Sequence, residues 1–121
     1  MKFKISVSDY FSAAHNLRGY KGKCEELHGH NFKVKAVIAS SKLDKLGMVA
    51  DFHIIKQELK NTLDELDHKY LNNLPFFKSL NPTSENIARL IFKKLKTKFP
   101  GKKLLQVIVW ETETNEASYQ E

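Results

Sequence analysis

The sequence predicts an α+β domain of order ββααββ, a four-stranded antiparallel sheet with two helices on one face. Three observations carry that expectation. Two stretches near the N-terminus and one near the C-terminus alternate apolar and polar residues with the period of a strand. Two central stretches repeat their apolar residues with the period of a helix. The helices fall together between the strands instead of alternating with them, which argues for antiparallel pairing with both helices on one side. Residues 1–121 read as a single domain, with no internal repeat and no linker rich in Gly, Ser or Pro.

Phe3, Ile5 and Val7 alternate with polar residues, and their parity continues through Phe11, Ala13 and His15, with room for a bend near Ser8-Asp9. NLRGYKGK, with its two glycines, is a loop. The clearest strand follows: His28, His30, Phe32, Val34, Ala36 and Ile38 share one parity, while Lys33 and Lys35 take the other. After the SSKLDKLG connection, Asp51 caps a helix carrying Ile55, Leu59, Leu63 and Leu66, which Asp67-His68 closes. HKYLNNLPFFKSLNP, with two prolines and three asparagines, breaks the regularity. Thr83 caps the second helix, with Glu85 in its first turn and Ile87, Leu90, Ile91 and Leu95 along one stripe. Phe99-Pro100-Gly101 stops it. LLQVIVWET is the last long strand, and the tail around Ala117 to Tyr119 pairs back as a short hairpin, kept short by the polarity of NEASYQE. A sheet covered on one side keeps open edges, for which oligomerisation by edge pairing is one remedy.

Composition narrows the function. The apolar fraction of 41% and charged fraction of 28% belong to a soluble globular chain. No stretch is long enough to span a bilayer, so no membrane partner is expected. MKFKISVSDY has no apolar run suited to a signal peptide, and the lone cysteine suits a reducing compartment; the expectation is a cytoplasmic protein. The net charge of +6 raises nucleic acid as a partner. Against it, only Arg18 and Arg89 among the twenty basic residues are arginines, the usual bidentate readers, and the lysines are dispersed. A solvated lysine surface, or a polyanionic small substrate, suits the same charge.

Chemistry concentrates in CEELHGH, residues 24–30. His28 and His30 are two apart on a strand, so their rings leave the same face. His15 lies at matching parity on the preceding strand, and antiparallel pairing can set it beside them. Three neutral imidazoles with an open fourth position suit catalytic zinc, whereas an isolated H-x-H is otherwise just two strand histidines. Cys24 can close the site as a fourth ligand or stand free beside it, and spacing alone admits both. Asp67-His68 is either a carboxylate-held imidazole fit for proton transfer or a histidine favoured by a helix C-terminus. Glu111 ends an apolar face that it shares with Leu105, Val107 and Val109. There its two oxygens can accept parallel hydrogen bonds from a guanine- or pterin-like edge, or simply reach water.

FSAAH, CEELHGHN, LDHKYLN, NPTSEN and WET, in that order, resemble the 6-pyruvoyltetrahydropterin synthase superfamily over nearly the whole chain. Three residues separate Cys24 from His28, a short spacing similar to that of the bacterial 6-carboxy-5,6,7,8-tetrahydropterin synthase branch of queuosine precursor biosynthesis. The resemblance implies zinc on His15, His28 and His30, with Cys24 as general base. It implies Asp67 and His68 completing a catalytic triad across a subunit boundary, Glu111 anchoring the pterin ring and Thr83 helping to line the ring pocket. The implied fold is the tunnelling fold, in trimers stacked as a hexamer. The implied reaction converts 7,8-dihydroneopterin triphosphate to 6-carboxy-5,6,7,8-tetrahydropterin with release of acetaldehyde and triphosphate. Alternatives are pyruvoyl formation without side-chain cleavage, or a non-catalytic zinc-dependent protein that binds pterin or RNA. The loop from Asn16 to Lys23 is shorter than the resemblance leads one to expect.

Overall fold

The computed structural model describes all residues, Met1–Glu121. The elements run β1 (Phe3–His15), β2 (His28–Ser40), α1 (Phe52–Asp64), β3 (Lys69–Tyr70), α2 (Ser84–Leu95), β4 (Lys103–Thr112) and β5 (Asn115–Tyr119). They build one five-stranded sheet in the order β3-β1-β2-β4-β5. All neighbours are antiparallel except β3, which joins β1 in parallel through Ala13 and Ala14. The expected four-stranded antiparallel sheet is therefore corrected to a five-stranded mixed one, though α+β class and helix placement hold. A two-residue strand inside an irregular segment carries no periodicity, so nothing local announces it.

β1 and β2 pair from Phe3↔Ser40 to His15↔His28 without a shift, so the bend expected near Ser8-Asp9 does not interrupt the ladder. Their period-2 pattern buries Val7, Phe11 and Ala13 of β1 and Phe32, Val34, Ala36 and Ile38 of β2 on one face. The rings of Phe11 and Phe32 stack there with centroids 4.8 Å apart. α1 brings Ile55, Leu59 and Leu63 onto that face, and α2 brings Ile87, Ile91 and Leu95, all in one core. Both helices start where side-chain caps place them: Asp51 accepts from the His53 N–H at 2.8 Å, and Thr83 Oγ1 from the Asn86 N–H at 3.1 Å.

β4 departs from its simple alternation. Its pairing with β2 skips Leu105, between Val37↔Gln106 and Ile38↔Leu104, so Leu104 enters the core and Leu105 stays half-buried. This bulge corrects the expected parity of Leu105 with Val107 and Val109, while Glu111 keeps theirs. The other sheet face carries Tyr10, Lys33, Lys35 and Trp110, with Lys33 Nζ 5.1 Å from the Trp110 ring centre. Along β1's outer edge β3 pairs only with Ala13 and Ala14, leaving the strand's earlier residues unpaired on that side. No helix is long and apolar enough to cross a membrane.

Candidate functional site

At the end of the β1–β2 ladder the register sets His15 opposite His28 and Ala13 opposite His30. The three imidazoles converge, with ring centroids 4.5 Å (His15–His28), 4.9 Å (His28–His30) and 5.4 Å (His15–His30) apart. His15 is only 1% exposed. Its Nδ1–H donates to the Pro82 carbonyl at 2.7 Å, and His28 Nδ1 is held by the Glu26 carbonyl at 2.8 Å. Each bond fixes a ring and leaves Nε2 bare, as when a backbone carbonyl holds the far nitrogen of a metal-ligating histidine.

The electrostatics agree. Burial pulls the His15 pKa below its usual value, with His28 and His30 adding to the effect against the Pro82 hydrogen bond and Glu111. His30 is lowered for the same leading reason, opposed by Glu111. Desolvation wins at both, so the rings are neutral at neutral pH, as ligands must be. His15 Nε2 and His30 Nε2 are buried without a hydrogen-bond partner. A bare, buried, neutral imidazole nitrogen is costly unless something occupies the space it faces. One ligand atom each from His15, His28, His30 and Glu111 lies within 4.8 Å of every other. This donor set fits a borderline divalent ion such as zinc.

Glu111 arrives there through a second bulge. Opposite β5 the pairing passes from Trp110↔Glu116 to Thr112↔Asn115, leaving Glu111 as the extra residue, and bulges re-aim side chains. Its Oε1 lies 3.0 Å from His30 Nε2, and its Oε2 accepts from Ser84 Oγ at 3.4 Å, in the first turn of α2. The helix N-terminus favours negative charge at that point. Thr83 stands one residue earlier, its hydroxyl engaged as the cap.

Cys24 occupies a 3₁₀ turn, Lys23–Glu25, in the β1–β2 connection. It is half-buried and reduced, and the four-residue cluster does not include it. Asp67-His68 does not close α1, which ends at Asp64; the pair lies in the turn beyond. There Asp67 Oδ1 accepts from the Ser12 N–H at 2.8 Å, and the His68 N–H donates to the Ser12 carbonyl at 2.6 Å. Asp67 Oδ2 holds His68 Nδ1 at 3.0 Å, while the His68 ring is 82% exposed. The Ser12 N–H, more than His68, holds the Asp67 carboxyl below its usual range. His68 takes a left-handed φ of 58°, uncommon for a non-glycine residue and a conformation that collects at functional sites. An open groove of about 510 Å³ has both His30 and His68 in its walls.

Sequence reasoning missed the strap behind His15. The Arg18 guanidinium donates to the carbonyls of Phe77 (2.7 Å), Asn72 (3.3 Å) and Leu80 (3.3 Å). The Arg18 backbone exchanges two hydrogen bonds with the Asn81 side chain, and buried Asn72 does the same with the Asn16 backbone. These bonds hold the segment that carries Pro82 against the residues following His15. In sequence Asn72 and Asn81 look like ordinary loop asparagines.

A family model described as "6-pyruvoyl tetrahydropterin synthase" matches residues 4–121. The chain belongs to that family. Among its relatives, the 6-carboxy-5,6,7,8-tetrahydropterin synthase of Synechocystis is 44% identical over 115 residues, covering 90% of this chain and 86% of the relative. The dihydroneopterin monophosphate aldolase of Pyrococcus furiosus is 37% identical over 112 residues, covering 92% and 91%. The solved structure of Caenorhabditis elegans 6-pyruvoyl tetrahydropterin synthase superposes with a TM-score of 0.88 at 35% identity, covering 98% of this chain and 95% of that one. The chain is an enzyme of this family, and its histidine-glutamate cluster is a candidate metal site within it.

Proposed function

We propose that the protein is a zinc-dependent 6-carboxy-5,6,7,8-tetrahydropterin synthase acting on 7,8-dihydroneopterin triphosphate in queuosine precursor biosynthesis. The observation that carries this reading is the set of inward, unpartnered Nε2 atoms at His15 and His30 beside His28. The synthase from Synechocystis supports the choice of product.

A zinc ion held by His15, His28 and His30 would supply Lewis-acid polarisation of the substrate's side-chain oxygens. Cys24, as thiolate, removes a side-chain proton. Asp67 orients the His68 ring through Nδ1, leaving Nε2 to pass protons. Glu111 accepts two hydrogen bonds from the edge of the pterin ring, and Thr83 lies beside that pocket at the start of α2. Triphosphate departs and acetaldehyde is released from the side chain. A water molecule supplies the second carboxylate oxygen, and the net oxidation of the side-chain carbons balances reduction of the dihydropterin ring, so no nicotinamide or flavin enters.

His68 is directed to solvent at the open flank of β1, outside the histidine cluster, which supports a site completed between subunits. Edge pairing of β1 and β5 with neighbouring copies would bring this about, in a trimer or a dimer of trimers. Pyruvoyl formation without side-chain cleavage is the second reading, favoured by the Caenorhabditis elegans likeness. Incubation of purified protein with 7,8-dihydroneopterin triphosphate, with products identified by mass, separates the two. Acetaldehyde with 6-carboxytetrahydropterin is expected; a pyruvoyl product without acetaldehyde would assign the second reading.

A further inference from the structure

In the proposed function Glu111 has a single task, holding the heterocycle, and the fourth corner of the metal site is left to substrate. The geometry around Glu111 does not separate those tasks. In a tetrahedral site with metal–ligand bonds of about 2.0–2.1 Å, neighbouring ligand atoms stand roughly 3.3–3.5 Å apart. Glu111 Oε1 lies 3.0 Å from His30 Nε2, and a carboxylate oxygen of Glu111 lies within 4.8 Å of the ligand atoms of His15 and His28. The carboxylate is therefore within reach of a fourth ligand's place. At 3.0 Å the contact with His30 Nε2 lacks the geometry of a hydrogen bond.

The backbone is built for this placement. Glu111 is the extra residue of the bulge between β4 and β5, and its second oxygen rests on Ser84 Oγ at 3.4 Å. One oxygen thus faces the histidines and the other faces the first turn of α2. A carboxylate so divided can reach either neighbour with a small rotation and cannot serve both fully.

We propose that Glu111 is an exchangeable fourth ligand: it closes the metal site in the substrate-free enzyme and leaves the metal when the pterin ring takes its carboxylate. This rests on the proposed pterin reading and adds a coupling to it. Recognition of the heterocycle opens the fourth position, so the position is free only when substrate is present. Because one carboxylate serves two partners, each weakens the other's hold on it, and the coupling is reciprocal: bound metal lowers pterin affinity by the factor by which pterin lowers metal affinity.

Cobalt(II) alone, titrated into the metal-free protein, reports coordination without any turnover. The wild type is expected to give intense four-coordinate visible bands. Glu111→Ala should bind cobalt more weakly by at least the roughly tenfold that loss of an outer-shell partner causes, and added acetate should restore both affinity and spectrum. Glu111→Gln, nearly isosteric, guards against a folding defect. 7,8-Dihydropterin lacks a side chain that could reach the metal, so its addition should alter the wild-type cobalt spectrum only by drawing Glu111 away. It should leave the Glu111→Gln spectrum unchanged. Equal cobalt affinity and spectra in wild type and Glu111→Ala would overturn the inference; dihydropterin binding that still depends on Glu111 would then leave the pterin reading standing. A sulfur-to-cobalt charge-transfer band, or no dihydropterin binding by the wild type, would overturn both.

Discussion

The histidine cluster and the Asp67-His68 turn are anchored to the same strand, and they are built by opposite means. His15, His28 and His30 sit on two long strands whose uninterrupted ladder locks their register, with rings held from behind by backbone carbonyls. His68 stands in a turn, left-handed, its ring in solvent, fixed by its own N–H on the Ser12 carbonyl and by Asp67, whose carboxylate accepts from the Ser12 N–H and holds the ring Nδ1. Regular pairing spends no strain to bring three neutral rings together, whereas the turn holds a strained residue toward empty space. The difference teaches that strand register alone assembles the histidine cluster, whereas the turn leaves His68 facing solvent, the observation behind the proposed site between subunits.

The strongest way to break the contrast is through His15. His15→Ala removes a buried, proposed ligand and should lower zinc affinity by more than the roughly 100-fold upper range of outer-shell changes, read by chelator competition. Equal zinc affinity in wild type and variant would place the metal elsewhere. His68→Ala should leave zinc binding intact and abolish turnover. Mixing His68→Ala with Cys24→Ala chains, after dissociation and reassembly, should restore part of the activity if the two residues meet across a subunit boundary. No recovery in verified mixed oligomers would confine the site to one chain.

Smaller effects sharpen the comparison. The left-handed backbone at His68 is easier for glycine, so His68→Gly should raise folding stability by about 1 kcal/mol while turnover is lost. Denaturant titration checks this, and a less stable variant would remove strain from the account of the turn. The two regions should also answer to different pH windows in the metal-free protein. His15 and His30 have folded pKa values below the usual 6.5, so below that pH the unfolded state takes up more protons and stability falls. Asp67 is shifted below its usual 3.8, so its contribution is present above that value and is lost as pH falls through its folded pKa. His15→Phe should flatten the first slope and Asp67→Asn the second.

How far the sequence could be read follows from the range of each interaction. The alternation in β1 and β2 reported burial directly, so His15, His28 and His30 were legible as one face before any contact was known. Asp51 and Thr83 were legible as caps because capping is local. Leu105 misled because a bulge moves parity by one residue with no mark in the pattern. The same kind of bulge aims Glu111 at His30, so its parity was readable and its neighbour was not. β3 is too short to show a period, and Arg18 acts on carbonyls more than fifty residues away, from Asn72 onward. Nothing local distinguishes either from a loop.

In the proposed site, imidazoles hold the metal while the sulfur of Cys24 stays free to act. Zinc content per folded chain, measured on purified Cys24→Ala beside its turnover of 7,8-dihydroneopterin triphosphate, tests this most directly. Zinc retained at the wild-type ratio with turnover abolished is the expected result. Loss of zinc together with the sulfur would contradict it and make Cys24 a ligand.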